Sequence, residues 1–204
     1  METKIKSRTP AWGVASLTSP GEYECGDRGV VRVYDEGAVV AAIDALGHGR
    51  DAAYAAGVAA RTLEQHAPGD PEELLRRCHA DLQRTRGAAV SMAVFNWRAG
   101  IATWLGVGNV AGALMRADPD VRPRVEQLVV FGGVVGYQMP ELYRTVVKVM
   151  PGDTLVLATD GVRGEFTKIL PAAVDPQPLA NRILDAYATR GDDALVLVFR
   201  CGDF

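Results

Sequence analysis

Aspartates stand at the ends of the apolar runs of this sequence. Asp44 closes "VVAAID", Asp160 closes "TLVLATD", Asp27 precedes "RGVVRVY", and Asp192 and Asp193 precede "ALVLVFR". Asp is an ordinary turn residue, because its side chain bonds nearby backbone amides. Any one of these positions is explained that way. As a set, they put carboxylates at the ends of four apolar segments. Clustered carboxylates repel one another unless a hard cation joins them, and oxygen donors suit magnesium or manganese. Two such ions can hold a phosphate and activate a water between them. Gly47 and Gly49 bracket His48 just after Asp44 and let the backbone pass close to what the carboxylates hold.

Other chemistries lack their residues. There is no G-x-x-x-x-G-K-[ST] phosphate loop, no G-x-S-x-G nucleophile elbow and no H-E-x-x-H zinc helix. "GVGNVAG" (106–112) is glycine-rich but lies among strands with no helix after it, so it is a weak phosphate-loop candidate. Cys25, Cys78 and Cys201 are far apart and form no C-x-x-C pair. They read as reduced, buried thiols, not as a zinc site.

The elements that must position the aspartates follow from periodicity. "AWGVASLT" (11–18) reads as a strand, and "GVVRVYDEGAVVAAIDAL" as a hairpin turning at Asp35, Glu36 and Gly37. "GRDAAYAAGVAARTLEQHA" has helical spacing and ends at "PGDP". "PEELLRRCHADLQRT" opens with Pro and two Glu and reads as a second helix. From Gly87 onward, short β-rich segments are separated by Gly, Asn or Pro. The last of these, "TLVLA", leads to Asp160. A third helix, "PLANRILDAYATR", and a final strand complete the order. Strands, two helices, many strands, helix, strand is the order of an α+β fold: an antiparallel β-sandwich flanked by helices.

The 204 residues suffice for a single domain, expected to span 1–204. Apolar residues make up 48% and charged residues 23%, an ordinary globular balance. The net charge of −3 and the scattered Lys and Arg argue against nucleic acid as a partner. No stretch has the length of a membrane span, and "METKIKSRTP" lacks the apolar core of a signal peptide. A cytoplasmic protein with no membrane partner is expected.

"DALGHGRDAA", "LVLATDGV" and "GDDALVLVF", in this order, resemble the metal-dependent protein phosphatases of type 2C (PPM). They are most similar to the small bacterial branch that contains SpoIIE and RsbX. "CGDRG" resembles that branch's early aspartate motif, and "FGGVVGY" its mid-chain glycine motif. The likeness runs from about Asp27 to Phe199. It implies manganese- or magnesium-dependent hydrolysis of phosphoserine or phosphothreonine by two ions. It implies phosphorylated signalling proteins as partners, in particular STAS-domain components of the bacterial stressosome. Carried over by position, Asp44 resembles the carboxylate that bridges the ions. Ala45 stands where a glycine usually offers its carbonyl. Asp160 and Asp192 resemble further ligands, and Asp27 the carboxylate that holds metal-bound waters. Asp44, Asp160 and Asp192 are thereby the expected catalytic residues. His48, Asp193 and Gly161 are candidates for the surrounding shell.

Two departures stand out. Some relatives carry a histidine, proposed as general acid, where this chain has Leu46. Some carry a phosphate-gripping arginine before the first acidic motif, where this chain reads "EYEC". Arg28, Arg50 or Arg163 could substitute, and the sequence selects none of them. An acidic approach with no such arginine implies a weak hold on phosphate, with substrate choice resting on docking between folded surfaces. Two other readings compete. "DALGHG" also resembles the Asp-x-Gly-x-Gly box of histidine-kinase-type ATP sites, but these need a helix upstream, where this chain reads as strands. A non-catalytic phosphoprotein-binding module would have no need of the retained aspartates.

Overall fold

Strand β3 (Gly37–Ala45) is buried along both faces, which is why its sequence is an almost unbroken apolar run. The computed structural model describes residues 9–169 and 175–203. β3 pairs with β2 (Asp27–Tyr34) in the expected hairpin. Its other edge pairs with β4 (Ala88–Asn96), which continues to β5 (Ile101–Val107) and β8 (Thr145–Lys148). The second sheet has the order β1-β10-β9-β6-β7. Its members are β1 (Ala11–Leu17), β10 (Ala194–Arg200), β9 (Thr154–Ala158), β6 (Ala111–Met115) and β7 (Val125–Leu128). Every pairing between these strands is antiparallel.

The sheets stack face to face. Along β3, Val39, Ala41 and Ile43 pack toward helices α1 (Arg50–His66) and α2 (Pro71–Leu82). Ala38, Val40 and Ala42 alternate with them and meet Leu195, Leu197 and Phe199 of β10 across the sandwich. There the rings of Phe95 and Phe199, one from each sheet, lie 5.0 Å apart. The opposite face of β10 (Ala194, Val196, Val198) packs under helix α3 (Pro176–Tyr187). The expected helix-flanked sandwich is the observed one. No helix among the described residues is long and apolar enough to cross a membrane.

The helix ends follow local chemistry. Asp70 caps α2, accepting from the Glu72 amide at 3.0 Å and the Glu73 amide at 3.2 Å, with Pro71 just inside. α2 stops at Leu82, short of Thr85, because the Thr85 amide and hydroxyl both turn back to the Leu82 carbonyl at 2.8 and 2.7 Å. α3 begins at Pro176, two residues before the expected start. A 3-10 helix at Gly164–Ile169 has no counterpart in the sequence reading.

Candidate active site

Strand parity carries two carboxylates to the inner edge of the sandwich. Asp27 and Asp44 are direct partners in the β2–β3 ladder. Asp44 follows Ala38, Val40 and Ala42 in parity and so faces the second sheet. Like charges directly opposite each other in a sheet are destabilising. From the facing sheet, Thr159 donates its hydroxyl to Asp27 Oδ2 at 2.6 Å and accepts from the Leu195 amide at 2.8 Å. Asp160 is the next residue. It is exposed and accepts from Asn109 Nδ2 at 2.7 Å. β9 and β10 pair with Ala158 opposite Val196, so Asp160, after β9, and Asp192, before β10, share one sheet end. The Asp192 carboxylate accepts from the Asp193 amide at 2.8 Å.

The four carboxylates expected as ligands thus come from both sheets to a common edge. Their charges act on one another. Burial pushes Asp27 up to about 7, against the Thr159 hydrogen bond, and the charges of Asp193, Asp160 and Asp192 add to the rise. Burial pushes Asp44 up to about 8, the charges of Asp27, Asp160, Asp192 and Asp193 add to it, and no hydrogen bond offsets them. Inward-facing carboxylates without a balancing cation are what a hard divalent ion requires, and the donors are all oxygen. The residues present therefore fit magnesium or manganese. Among the described residues, no three acidic, histidine or cysteine side chains stand at ligating distance of a common point. They share an edge and an electric field, not a finished coordination shell.

The remaining expected residues fall into place around this edge. Ala45 ends β3, with its amide bonded to the Gly26 carbonyl at 3.1 Å. Gly49 has φ +75, a backbone conformation that favours glycine, and it sits beside the Glu22 carboxylate. A Cβ on Gly161 would overlap the Asp193 carbonyl, so this glycine serves by its smallness. Asp193 is buried and accepts from the Ser19 and Gly26 amides, each at 2.7 Å. Leu46 is exposed. His48 is also exposed, with Nδ1 2.7 Å from Glu22 Oε1. His48→Ala should keep most of the activity, because an exposed imidazole already paired with Glu22 is poorly placed to protonate a leaving group. A fall of about a hundredfold or more at unchanged metal affinity would show that His48 is the acid.

None of the three arginines from the sequence reading bonds the carboxylates. Arg28 alternates with Asp27 along β2 and faces the other way. Arg163 donates to the Ala186 carbonyl at 2.9 Å and lies over the Tyr187 ring. Arg50 is exposed at the start of α1. Sequence reasoning missed Thr159 and Asn109. Both had a signal: Thr159 precedes Asp160 with inward parity, and Asn109 sits in the glycine-rich "GVGNVAG" turn. Burial pushes the Cys25, Cys78 and Cys201 thiols up to about 12, which leaves no thiolate nucleophile among them. Only strands precede Asp44 among the described residues, so the helix required by the histidine-kinase reading is not there.

The family model of stage II sporulation protein E (SpoIIE) matches residues 34–202. The phosphoserine phosphatase RsbX of Bacillus subtilis (strain 168) is 27% identical over 182 residues, 88% of this chain and 89% of that protein. A solved chain from work on the bacterial stressosome, described as a modular system adapted to control secondary messenger signalling, superposes with a TM-score of 0.85. It is 25% identical, and the match covers 94% of this chain and 100% of that one. A crystal structure of RsbX in complex with magnesium has a TM-score of 0.80 at 23% identity, covering 92% of each chain.

Proposed function

We propose, since this chain belongs to the SpoIIE family, that its acidic edge hydrolyses phosphoserine or phosphothreonine on bacterial stress-signalling proteins and so resets their signal. The chain is a protein phosphatase of the divalent-metal-dependent kind. The substrates we assign are phosphorylated STAS-domain and stressosome components, acted on in the cytoplasm by one phosphatase domain spanning residues 1–204. RsbX bears the name of a phosphoserine phosphatase, and a stressosome chain shares the fold, which supports that choice.

The observation that carries the reading is the pair of the buried Asp27 and the half-buried Asp44, opposite each other with raised pKa values among further carboxylates. In this reading Asp44, Asp160, Asp192 and the Ala45 carbonyl would hold two manganese or magnesium ions, with Asp27 beside them as a further carboxylate. When bound, such ions make water acidic enough to attack phosphorus and neutralise charge on the phosphoryl oxygens. The residues of the chain prepare for this. Thr159 fixes the Asp27 carboxylate by its hydroxyl, and Asn109 fixes Asp160 by its amide. Asp27 and Asp44 must shed the protons that burial favours, so cation uptake releases protons and strengthens as pH rises. The cysteines offer no activated thiol, and this reading uses water as the nucleophile without a phosphoenzyme. Phosphate release from a phosphoserine STAS protein should require manganese or magnesium and stop with a chelator. Tight binding of that protein without hydrolysis in manganese would replace this reading by the binding module.

A further inference from the structure

The turn between α2 and β4 presents two arginines on a frame set by one threonine. The Thr85 hydroxyl donates to the Leu82 carbonyl at 2.7 Å and accepts from the Gly87 amide at 3.0 Å. Gly87 has φ +76, and a Cβ there would meet the Val135 carbonyl at 2.8 Å, so the turn is packed from beneath. Arg84 and Arg86 flank Thr85 and are exposed. The β3–β4 ladder locates them relative to the acidic edge. Asp44 pairs with Ala89 and Ala45 with Ala88, and the Leu46 amide bonds the Gly87 carbonyl at 3.2 Å. Beyond the ladder, a methyl on Gly47 would come within 2.5 Å of Arg86 Nη1. Arg86 therefore lies against the loop that leaves Asp44, beside the third residue after it. A cavity of about 280 Å³ opens here, lined by Asp51, Tyr54, Arg84, Thr85 and Arg86.

We propose that this cavity is a docking subsite for an acidic side chain of the phosphoprotein, a few residues from its phosphorylated serine or threonine. The inference rests on the phosphatase reading and extends it to substrate choice. Guanidinium groups bind carboxylates through paired, directional hydrogen bonds, and Arg with aromatic residues typifies recognition surfaces. Tyr54, 62% exposed, supplies the aromatic wall. Asp51 holds Arg86 at 3.3 Å, but both side chains are largely exposed, at 73% and 47%, so the pair is weak and easily exchanged. A substrate chain in extended form advances about 3.3 Å per residue, so a few residues suffice to reach from the acidic edge to the loop that follows Asp44. The arginines also give positive charge to the rim of an otherwise acidic approach, where Glu22, Glu24 and the candidate ligands would repel an anionic segment.

The test uses the full chain in manganese. Phosphoserine peptides carry one Asp, moved through each position from two to five residues on either side, in an otherwise uncharged sequence. kcat/KM and peptide affinity by fluorescence anisotropy are measured for the wild type and for Arg84→Ala/Arg86→Ala, with p-nitrophenyl phosphate as a substrate that cannot reach the cavity. One Asp position should raise kcat/KM about tenfold, as for one good charged pair. The gain should vanish in the double variant, while p-nitrophenyl phosphate turnover stays within about twofold. A flat scan in the wild type overturns the proposal, as does a preference that survives in the double variant. An equal loss on p-nitrophenyl phosphate overturns it too, by assigning the arginines to the phosphoryl group. If the wild type hydrolyses nothing, the phosphatase reading fails by itself. An arginine-dependent affinity for the Asp peptides would then still uphold the subsite, and its absence would overturn that as well.

Discussion

Asp44→Asn should abolish manganese-dependent phosphate release, lowering kcat/KM by more than the about 10–100-fold that supporting groups around a metal typically contribute. The substitution keeps the shape of the side chain and removes its charge at the place where the ladder sets it opposite Asp27. Metal titration should show binding lost together with activity. The same variant makes a second measurement possible. Asp44 and Asp27 in the folded, cation-free chain sit at about 8 and about 7, above the ordinary carboxylate value of about 3.9. Between these limits the folded chain holds protons that the unfolded chain has released. Stability of the chelator-treated protein is therefore greatest at the acid end of this window. It falls as pH rises toward the folded values. Manganese should remove the fall, and Asp44→Asn should flatten it by deleting one of the two protons. Full manganese-dependent activity in the variant would sink the assignment of Asp44. A wild-type melting temperature independent of pH in chelator would sink the electrostatic account of the edge.

Asp193→Ala should act in the opposite way, by costing stability. Its two oxygens take the buried Ser19 and Gly26 amides, each at 2.7 Å, and so tie the segment before β2 to the start of β10. A hydrogen bond to a charged group contributes roughly 1.5–3 kcal/mol, and an orphaned buried amide adds its own penalty. Removing the charge also relieves Asp27, on which Asp193 is the foremost repelling neighbour. That relief is smaller than the loss of both acceptors, and a net destabilisation of roughly 3 kcal/mol is expected. At about 2–4 °C per kcal/mol for a chain of this size, the melting temperature should drop by roughly 6–12 °C. Thermal melts in chelator would contrast the two variants, Asp44→Asn holding or gaining stability near neutral pH and Asp193→Ala losing it. A change below about 2 °C in Asp193→Ala would mean that other groups hold the two amides.

These two aspartates show what the sequence made legible. Strand ends were readable because β3 and β10 are apolar runs buried on both faces, and the polar residue that stops each run stands out. The carboxylates at those ends were therefore found, as was the Asp35–Glu36 turn. Which of the adjacent carboxylates Asp192 and Asp193 faces the candidate site was assigned by the resemblance alone, because in the local pattern they differ only in direction. Thr159 and Asn109 escaped because their partners, Asp27 and Asp160, lie 132 and 51 positions away in sequence. Local pattern can mark such residues as inward-facing or turn-borne, but it does not name their partners. Arg86 escaped for a similar reason, since it reaches Gly47 only after β3 and β4 pair. The early end of α2 at Leu82 is set by Thr85 turning back, a competition between side chain and backbone that helical periodicity does not register.

The candidate ligands are divided between two separate sheets, Asp27 and Asp44 on one and Asp160 and Asp192 on the other. At the edge itself the divide is spanned by the hydrogen bond from Thr159 to Asp27 and by that from the Gly26 amide to Asp193. The site is therefore a gauge of slippage between layers. If one sheet slid across the other by about 1 Å, the fold would survive, but groups held in register for reaction would be mistuned, at a cost of up to about a hundredfold in rate. What resists that slide is the packing midway along the sandwich, where Phe95 and Phe199 meet across the layers at 5.0 Å. Those rings never approach a phosphate, yet they calibrate the spacing on which its hydrolysis depends.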